Sequence, residues 1–192
     1  MIPDDPAIKA AVFDIGNVLV RWDPMPLYRK LVPDETERSA LFDRIGFDAM
    51  NHRGDRDGSL QAEVEALAKA HPADARRIMA WWERWPEMLG PAIPETAATL
   101  QAAKARGLHV AALSNFAADT WEIAQPLFPV LQQFETAVIS GHEGHAKPEG
   151  RIYEIVEERL GLAGSQIWFI DDRPGNVAAA RHRGWQAVLF QG

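Results

Sequence analysis

Short unbroken apolar runs recur at both ends of the chain. They cover about Lys9–Phe13, Leu108–Leu113, Thr136–Ile139, Gln166–Ile170 and Gln186–Phe190. Runs without polar alternation predict strands covered on both faces, as in a parallel sheet. Helical stretches separate them. Pro94–Arg106 begins with proline and stops at Gly107, Asp119–Leu127 follows, Pro148–Leu160 ends at Gly161, and Pro174–His182 completes the set. Strand and helix in alternation predict an α/β fold, a Rossmann-like parallel sheet of about five strands.

One stretch breaks this rhythm. From Pro24 to Leu89 only helical signals occur, at Glu35–Arg44, Ser59–Lys69 and Ala73–Trp85. That predicts a small inserted helical cap over residues 23–89, on a core made of residues 1–22 and 90–192. Trp81, Trp82 and Trp85 share the last of these helices at spacings that bring one of the first two onto a face with Trp85. Packing inside the insert is the preferred reading, over a stacking platform for substrate. Asp23 before Pro24 reads as a helix cap. Arg53 and Arg56 read as solvated charges in a polar loop before Ser59, and His142 and His145 as members of a flexible loop. The given sequence stops at Gln191-Gly192, directly after a strand, which leaves open whether a closing helix follows.

Composition narrows the classes. With 192 residues, 47% hydrophobic and 24% charged, the chain has the makings of one substantial core. The absence of cysteine excludes disulfides, thiolate metal sites and thiol nucleophiles. A net charge of −7 argues against a nucleic-acid or anionic-membrane binder. No apolar stretch approaches the ~20 residues of a membrane span, and the start lacks a signal-peptide pattern, so a cytoplasmic protein is expected.

The candidate chemistry gathers at predicted strand ends, where open α/β sheets bind ligands. Asp14 follows the first strand, Ser114-Asn115 the second, and Asp171-Asp172 the fourth, while Lys147 opens a helix through Pro148. An Asp nucleophile attacking phosphorus forms an aspartyl-phosphate. Two anions then meet, which calls for a cation and a lysine. Adjacent carboxylates suit Mg²⁺, a hard ion that prefers oxygen ligands. Lys147 would supply a point charge to phosphate or Asp14. The Ser114 hydroxyl and the following backbone N–H would hold a phosphoryl oxygen.

This order of motifs resembles the haloacid dehalogenase-like hydrolase superfamily over nearly the whole chain. Phe13-Asp14-Ile15-Gly16-Asn17-Val18 is similar to its first motif, Leu113-Ser114-Asn115 to its second and Lys147-Pro148 to its third. Phe169-Ile170-Asp171-Asp172, with Arg173-Pro174-Gly175-Asn176, is similar to its fourth. Within the superfamily the chain most resembles helical-cap phosphatases such as the bacterial α-glucose-1-phosphate phosphatase. The resemblance implies Asp14 as nucleophile and metal ligand. It implies a Mg²⁺ shell completed by the Gly16 carbonyl, Asp172 and Asp171, the last directly or through water. Ser114 and Asn115 would bind phosphate, and Lys147 would pair with both Asp14 and phosphate.

One position departs from that pattern. Most phosphatases of the superfamily carry an acid–base Asp two residues after the nucleophile, where this chain has Gly16. General acid–base catalysis is worth roughly 10²–10⁴-fold, so low turnover is expected unless another group substitutes, with Asp23 and the histidines of the 142–145 loop as candidates. The expected activity is Mg²⁺-dependent hydrolysis of a small phosphorylated metabolite, a sugar phosphate among the candidates. The alternatives are a metal-free 2-haloacid dehalogenase using the same Asp14, and a catalytically impaired phosphate-binding or regulatory protein. Asn176 is expected either to orient the metal ligands or to stabilise its helix start.

Overall fold

The computed structural model describes residues 2–192. Strand β1 (Ala10–Phe13) opens the fold and is followed by the short β2 (Val20–Trp22). Five helices come next: α1 (Met25–Leu31), α2 (Glu35–Ile45), α3 (Phe47–Asp57), α4 (Leu60–Ala70) and α5 (Ala75–Glu83). A 3-10 turn at Trp85–Met88 leads into β3 (Leu89–Ala92). Then follow α6 (Pro94–Ala105), β4 (His109–Ser114), α7 (Ala118–Leu127) and β5 (Thr136–Ile139). The chain finishes with α8 (Ser140–Glu143), α9 (Gly150–Leu160), β6 (Ile167–Asp171), α10 (Pro174–His182) and β7 (Gln186–Leu189).

Five strands form one parallel sheet in the order β5-β4-β1-β6-β7. This is the expected Rossmann-like α/β fold. Alternate residues of the central strands serve opposite faces. Phe13, Ala112 and Trp168 pack toward α6, α7 and the helical excursion. Val12, Leu113 and Phe169 pack with Ile152 and Val156 of α9 and Val177 of α10. Strand order reverses about β1, so the carboxyl ends of β1, β4 and β6 meet at a topological switch point.

The stretch after β1 is helical as expected, but three of its features are corrections. Val20–Trp22 and Leu89–Ala92 pair as an antiparallel ribbon, so the chain leaves and returns side by side. Gly90 and Pro91 hid β3, because both residues are depleted in strands and tolerated at such edges. Residues 47–57, read as a polar loop, form α3. Gly54 sits within that helix because a β-carbon there would lie 2.9 Å from the Leu60 Cα. Helix α1 lies outside the three expected helical spans, although Asp23-Pro24 marks its start. Arg53 and Arg56 are therefore helical and ion-paired, to Glu63 at 2.6 Å and Glu149 at 3.4 Å.

Trp81 is fully buried and stacks on Phe47 with ring centroids 4.9 Å apart, beside Tyr28 and Phe42. Trp85 turns the other way and meets Phe116, after β4, edge to face at 5.7 Å. The tryptophans thus divide between the interior of the excursion and its junction with the sheet.

That junction is a close backbone crossing. The Ala118 N–H donates to the Gly58 carbonyl at 3.0 Å. The Asp119 carboxylate of α7 accepts from Ser59 Oγ and from the Leu60 and Gln61 N–H groups, at 3.0–3.2 Å. A β-carbon on Gly141 would collide with the Ala118 nitrogen and come within 2.9 Å of the Phe116 oxygen. We expect Gly141→Ala to lower stability by about 3 kcal/mol or more, in the range of steric disruption at packed sites. Gly161 has φ +65° and open space around it. Gly161→Ala should cost only the left-handed strain, about 1–2 kcal/mol. Urea unfolding of the two variants checks the difference, and equal losses would contradict the crossing.

Candidate active site

Asp14 stands one residue beyond β1 and is nearly buried. Its Oδ1 accepts from its neighbour's N–H (Ile15, 2.7 Å) and from Ser114 Oγ (2.8 Å), and pairs with Lys147 Nζ (2.9 Å). No comparable partner holds Oδ2 among the described residues. Burial, helped by the Asp171 charge, pushes the Asp14 carboxyl up to about 7 against the pull of Lys147.

Lys147 is buried, and all three of its N–H donors have partners. Besides Asp14 these are Asp171 Oδ2 at 2.6 Å and the Leu113 carbonyl at 2.9 Å. Burial alone would favour the neutral amine, but Asp14 and Asp171 outweigh it and raise the Lys147 pKa, so the side chain stays charged. Its backbone is held by Asn115, whose Nδ2 donates to the Lys147 carbonyl and whose Oδ1 accepts the Lys147 N–H, at 2.9 and 2.7 Å. Two sequence expectations change here. Lys147-Pro148 does not open a helix, since the segment turns at Ala146–Glu149 and α9 starts at Gly150. The Asn115 side chain is committed to this clamp, so only its backbone faces a ligand role.

The adjacent acids differ. Asp171 is fully buried and saturated: Lys147 takes Oδ2, the Arg173 N–H takes Oδ1, and Asn176 Nδ2 bonds both oxygens. Asn176 thus orients Asp171. Asp172 is half-buried and lines the cavity, with no side-chain hydrogen bond or ion pair to another residue among those described. Burial, with Asp171 adding to it, raises its carboxyl. Carboxylate oxygens of Asp14, Asp171 and Asp172 lie within 4.8 Å of one another.

The cavity above this floor measures about 330 Å³. One wall carries Ser114, Asn115, Asp172 and Arg173. A second is apolar, with Trp22, Trp85, Leu89, Phe116 and Leu131. The third comes from α3: Asp48, Asn51, His52 and Asp55. Gly16 also lines it, and a β-carbon there would meet nothing within 4 Å. The missing side chain therefore leaves open space and is not forced by crowding.

Several candidates stand outside this cavity. Asp23 is exposed and accepts the Met25 N–H, which makes it a turn residue before α1. His142 lies in α8, and His145 faces Glu149 at 3.4 Å. Arg53 and Arg56 point to their ion pairs. Conversely, sequence reading passed over Asp55, Asn51 and Arg173 as site residues. The helical spacing of Asn51 and Asp55 was the available signal, obscured by Gly54.

Lys147→Met removes the cation that Asp14 and Asp171 share. Breaking a buried pair from one side costs about 3–5 kcal/mol, and we expect that loss in urea denaturation at neutral pH. The deficit should shrink in acid, where the orphaned Asp14 carboxyl protonates. A deficit that stays constant through that range would contradict the arrangement.

A sequence model described as haloacid dehalogenase-like hydrolase matches residues 8–184. Enolase-phosphatase E1 of Drosophila simulans is 35% identical over 138 residues, 70% of this chain and 54% of that protein. The chain spans about half the length of such relatives. Among solved structures, a HAD family enzyme of Bacteroides thetaiotaomicron in complex with magnesium and inorganic phosphate is 20% identical, with TM-score 0.66 and coverage of 96% of this chain and 94% of that one. The L-2-haloacid dehalogenase of Xanthobacter autotrophicus, with chloropropionic acid covalently bound, is 21% identical, with TM-score 0.66 over 94% of this chain and 76% of its own. Motif order, fold and a family match over most of its length agree: the chain belongs to the haloacid dehalogenase-like hydrolases.

Proposed function

We propose that this hydrolase is a Mg²⁺-dependent phosphatase of small phosphomonoesters, working through an aspartyl-phosphate on Asp14. The observation that carries the reading is the unequal pair of acids. Asp171 is spent on Lys147, while Asp172 offers an unpaired, half-buried carboxylate to the same cavity as Asp14. Keeping such a charge near another carboxylate is unfavourable without a cation.

Asp14, Asp172 and the Gly16 carbonyl would hold Mg²⁺, with Asp171 contributing directly or through water. When bound, the ion would offset the negative charge that Asp14, Asp172 and phosphate bring together. Asp14 would attack phosphorus through Oδ2, the oxygen that Lys147, Ser114 and the Ile15 N–H leave free. The Ser114 hydroxyl and the Asn115 N–H would hold phosphoryl oxygens. Residues 23–89 would act as the cap, presenting α3 to this floor.

The apolar wall bears on the substrate. Sugar hydroxyls placed against Trp22, Trp85 and Leu131 would lose water without gaining partners. An ester of an apolar alcohol fits better than the sugar phosphate first considered. The dehalogenase alternative also suits an apolar wall, but a metal-free reaction has no use for the unpaired Asp172. Enolase-phosphatase relatives and the magnesium–phosphate complex of a fold neighbour favour the phosphatase.

Two outcomes are expected. Asp14→Asn should abolish turnover, a loss of at least the roughly 10²–10⁴-fold typical of a single catalytic group, while thermal unfolding stays cooperative. Wild-type-like turnover in that variant would refute the nucleophile. With Mg²⁺, a panel assay should show hexyl and phenyl phosphate hydrolysed ahead of glucose phosphates, and EDTA should remove the activity. Halide release from fluoroacetate or chloroacetate in EDTA, without phosphate release in Mg²⁺, would favour the dehalogenase.

A further inference from the structure

Gly16 leaves the phosphatase chemistry without a proton carrier beside Asp14, and neither Asp23 nor the histidines near Lys147 reach the cavity. Apart from Asp172, the other carboxyls there belong to α3. Asp48 is exposed, but Asp55 is half-buried and fixed from several sides. Its Oδ1 accepts the Ala117 N–H at 3.2 Å, its Oδ2 accepts Asn51 Nδ2 at 2.9 Å, and its carbonyl accepts Ser140 Oγ at 2.5 Å. Ser140 Oγ in turn accepts the Phe116 N–H at 2.9 Å. Asp55 is therefore tied to the loop that begins with Ser114 and Asn115, although it belongs to the excursion. The Asn51 amide serves either protonation state: its NH₂ donates to a carboxylate, and its oxygen, after a flip, accepts from a carboxylic acid.

We propose that Asp55 performs the proton transfers for which position 16 has no side chain. As Asp14 bonds to phosphorus, the ester P–O bond breaks and its electron pair stays on the alcohol oxygen, which takes the Asp55 proton. Water then attacks the aspartyl-phosphate, the bond between phosphorus and Asp14 breaks, and the proton that water loses returns to Asp55. Phosphate leaves, and both carboxyl groups regain their starting states. Burial suits this group to the task. It pushes the Asp55 carboxyl up to about 8, against the Ala117 N–H and Arg173, with Asp119 and Asp14 adding to the push. An acid near neutrality both gives and accepts protons. The proposal rests on the phosphatase reading.

The test compares wild type, Asp55→Asn and Ser59→Ala in Mg²⁺ on 2,4-dinitrophenyl, phenyl and hexyl phosphate. Asn keeps the shape, accepts the Ala117 N–H through its oxygen and donates its NH₂ to the oxygen of a flipped Asn51, but carries no transferable proton. Asp55→Asn should slow hexyl phosphate by roughly 10²–10⁴-fold. The dinitrophenyl ester, whose leaving group needs no proton, should still phosphorylate the enzyme, and phospho-Asp14 should accumulate on acid quenching. Ser59→Ala loosens the same junction without changing any charge near Asp55, so it should affect all three esters equally. If Asp55→Asn does likewise, or changes nothing, Asp55 is a latch and the proposal is wrong. Should Asp55→Asn not fold, Asp55→Ser, which keeps an acceptor for Ala117, carries the same readout. A wild type that hydrolyses none of the esters defeats the phosphatase reading itself and this proposal with it.

Discussion

The Lys147 ammonium, enclosed between Asp14 and Asp171, is the interaction around which the rest is arranged. A buried lysine is tolerable only when its charge is matched and its protons are bonded. Here Asp14, Asp171 and the Leu113 carbonyl do both. Each partner comes from a different strand end, so the contact forms only when β1, β4 and β6 are in register. Asn115 fixes the backbone that carries the lysine, and Asn176 fixes the acid that receives it. The site is therefore as rigid as the sheet beneath it, which is the condition for precise placement of reacting atoms.

Charge counting then explains why the remaining acid matters. One ammonium faces the carboxyl groups of Asp14, Asp171 and Asp172, which leaves the site with more acids than cations to match them. Asp171 is absorbed by hydrogen bonds, and Asp172 is not. Two neighbours identical in sequence are thereby separated by their surroundings into a structural anchor and a candidate ligand.

This division was not legible in the sequence, because it depends on which carboxylate the chain turns inward. The sheet itself was legible: unbroken apolar runs identified all five of its strands, and the motifs at their ends pointed to Asp14, Ser114 and Lys147. Elements hidden from the reading share one property, in that their residues answer to neighbours more than to local preference. Gly54 weakens α3 by intrinsic propensity but makes room for Leu60. Gly90 and Pro91 argue against a strand that exists because β2 lies beside it. Asp55 escaped for the same reason, since a polar stretch of uncertain structure gave no hint of the wall it completes.

The Asp119 carboxylate has a consequence for timing. It receives the first N–H groups of α4 from a helix that belongs to the other side of the junction. Any motion that lifts α3 and α4 from the sheet must give up these bonds, at about 0.5–1.5 kcal/mol each. Three such bonds, lost together, would by themselves weigh against the separated state by a factor of roughly ten to two thousand. How often the excursion parts from the sheet then depends on how often a half-buried aspartate lets go of a helix end.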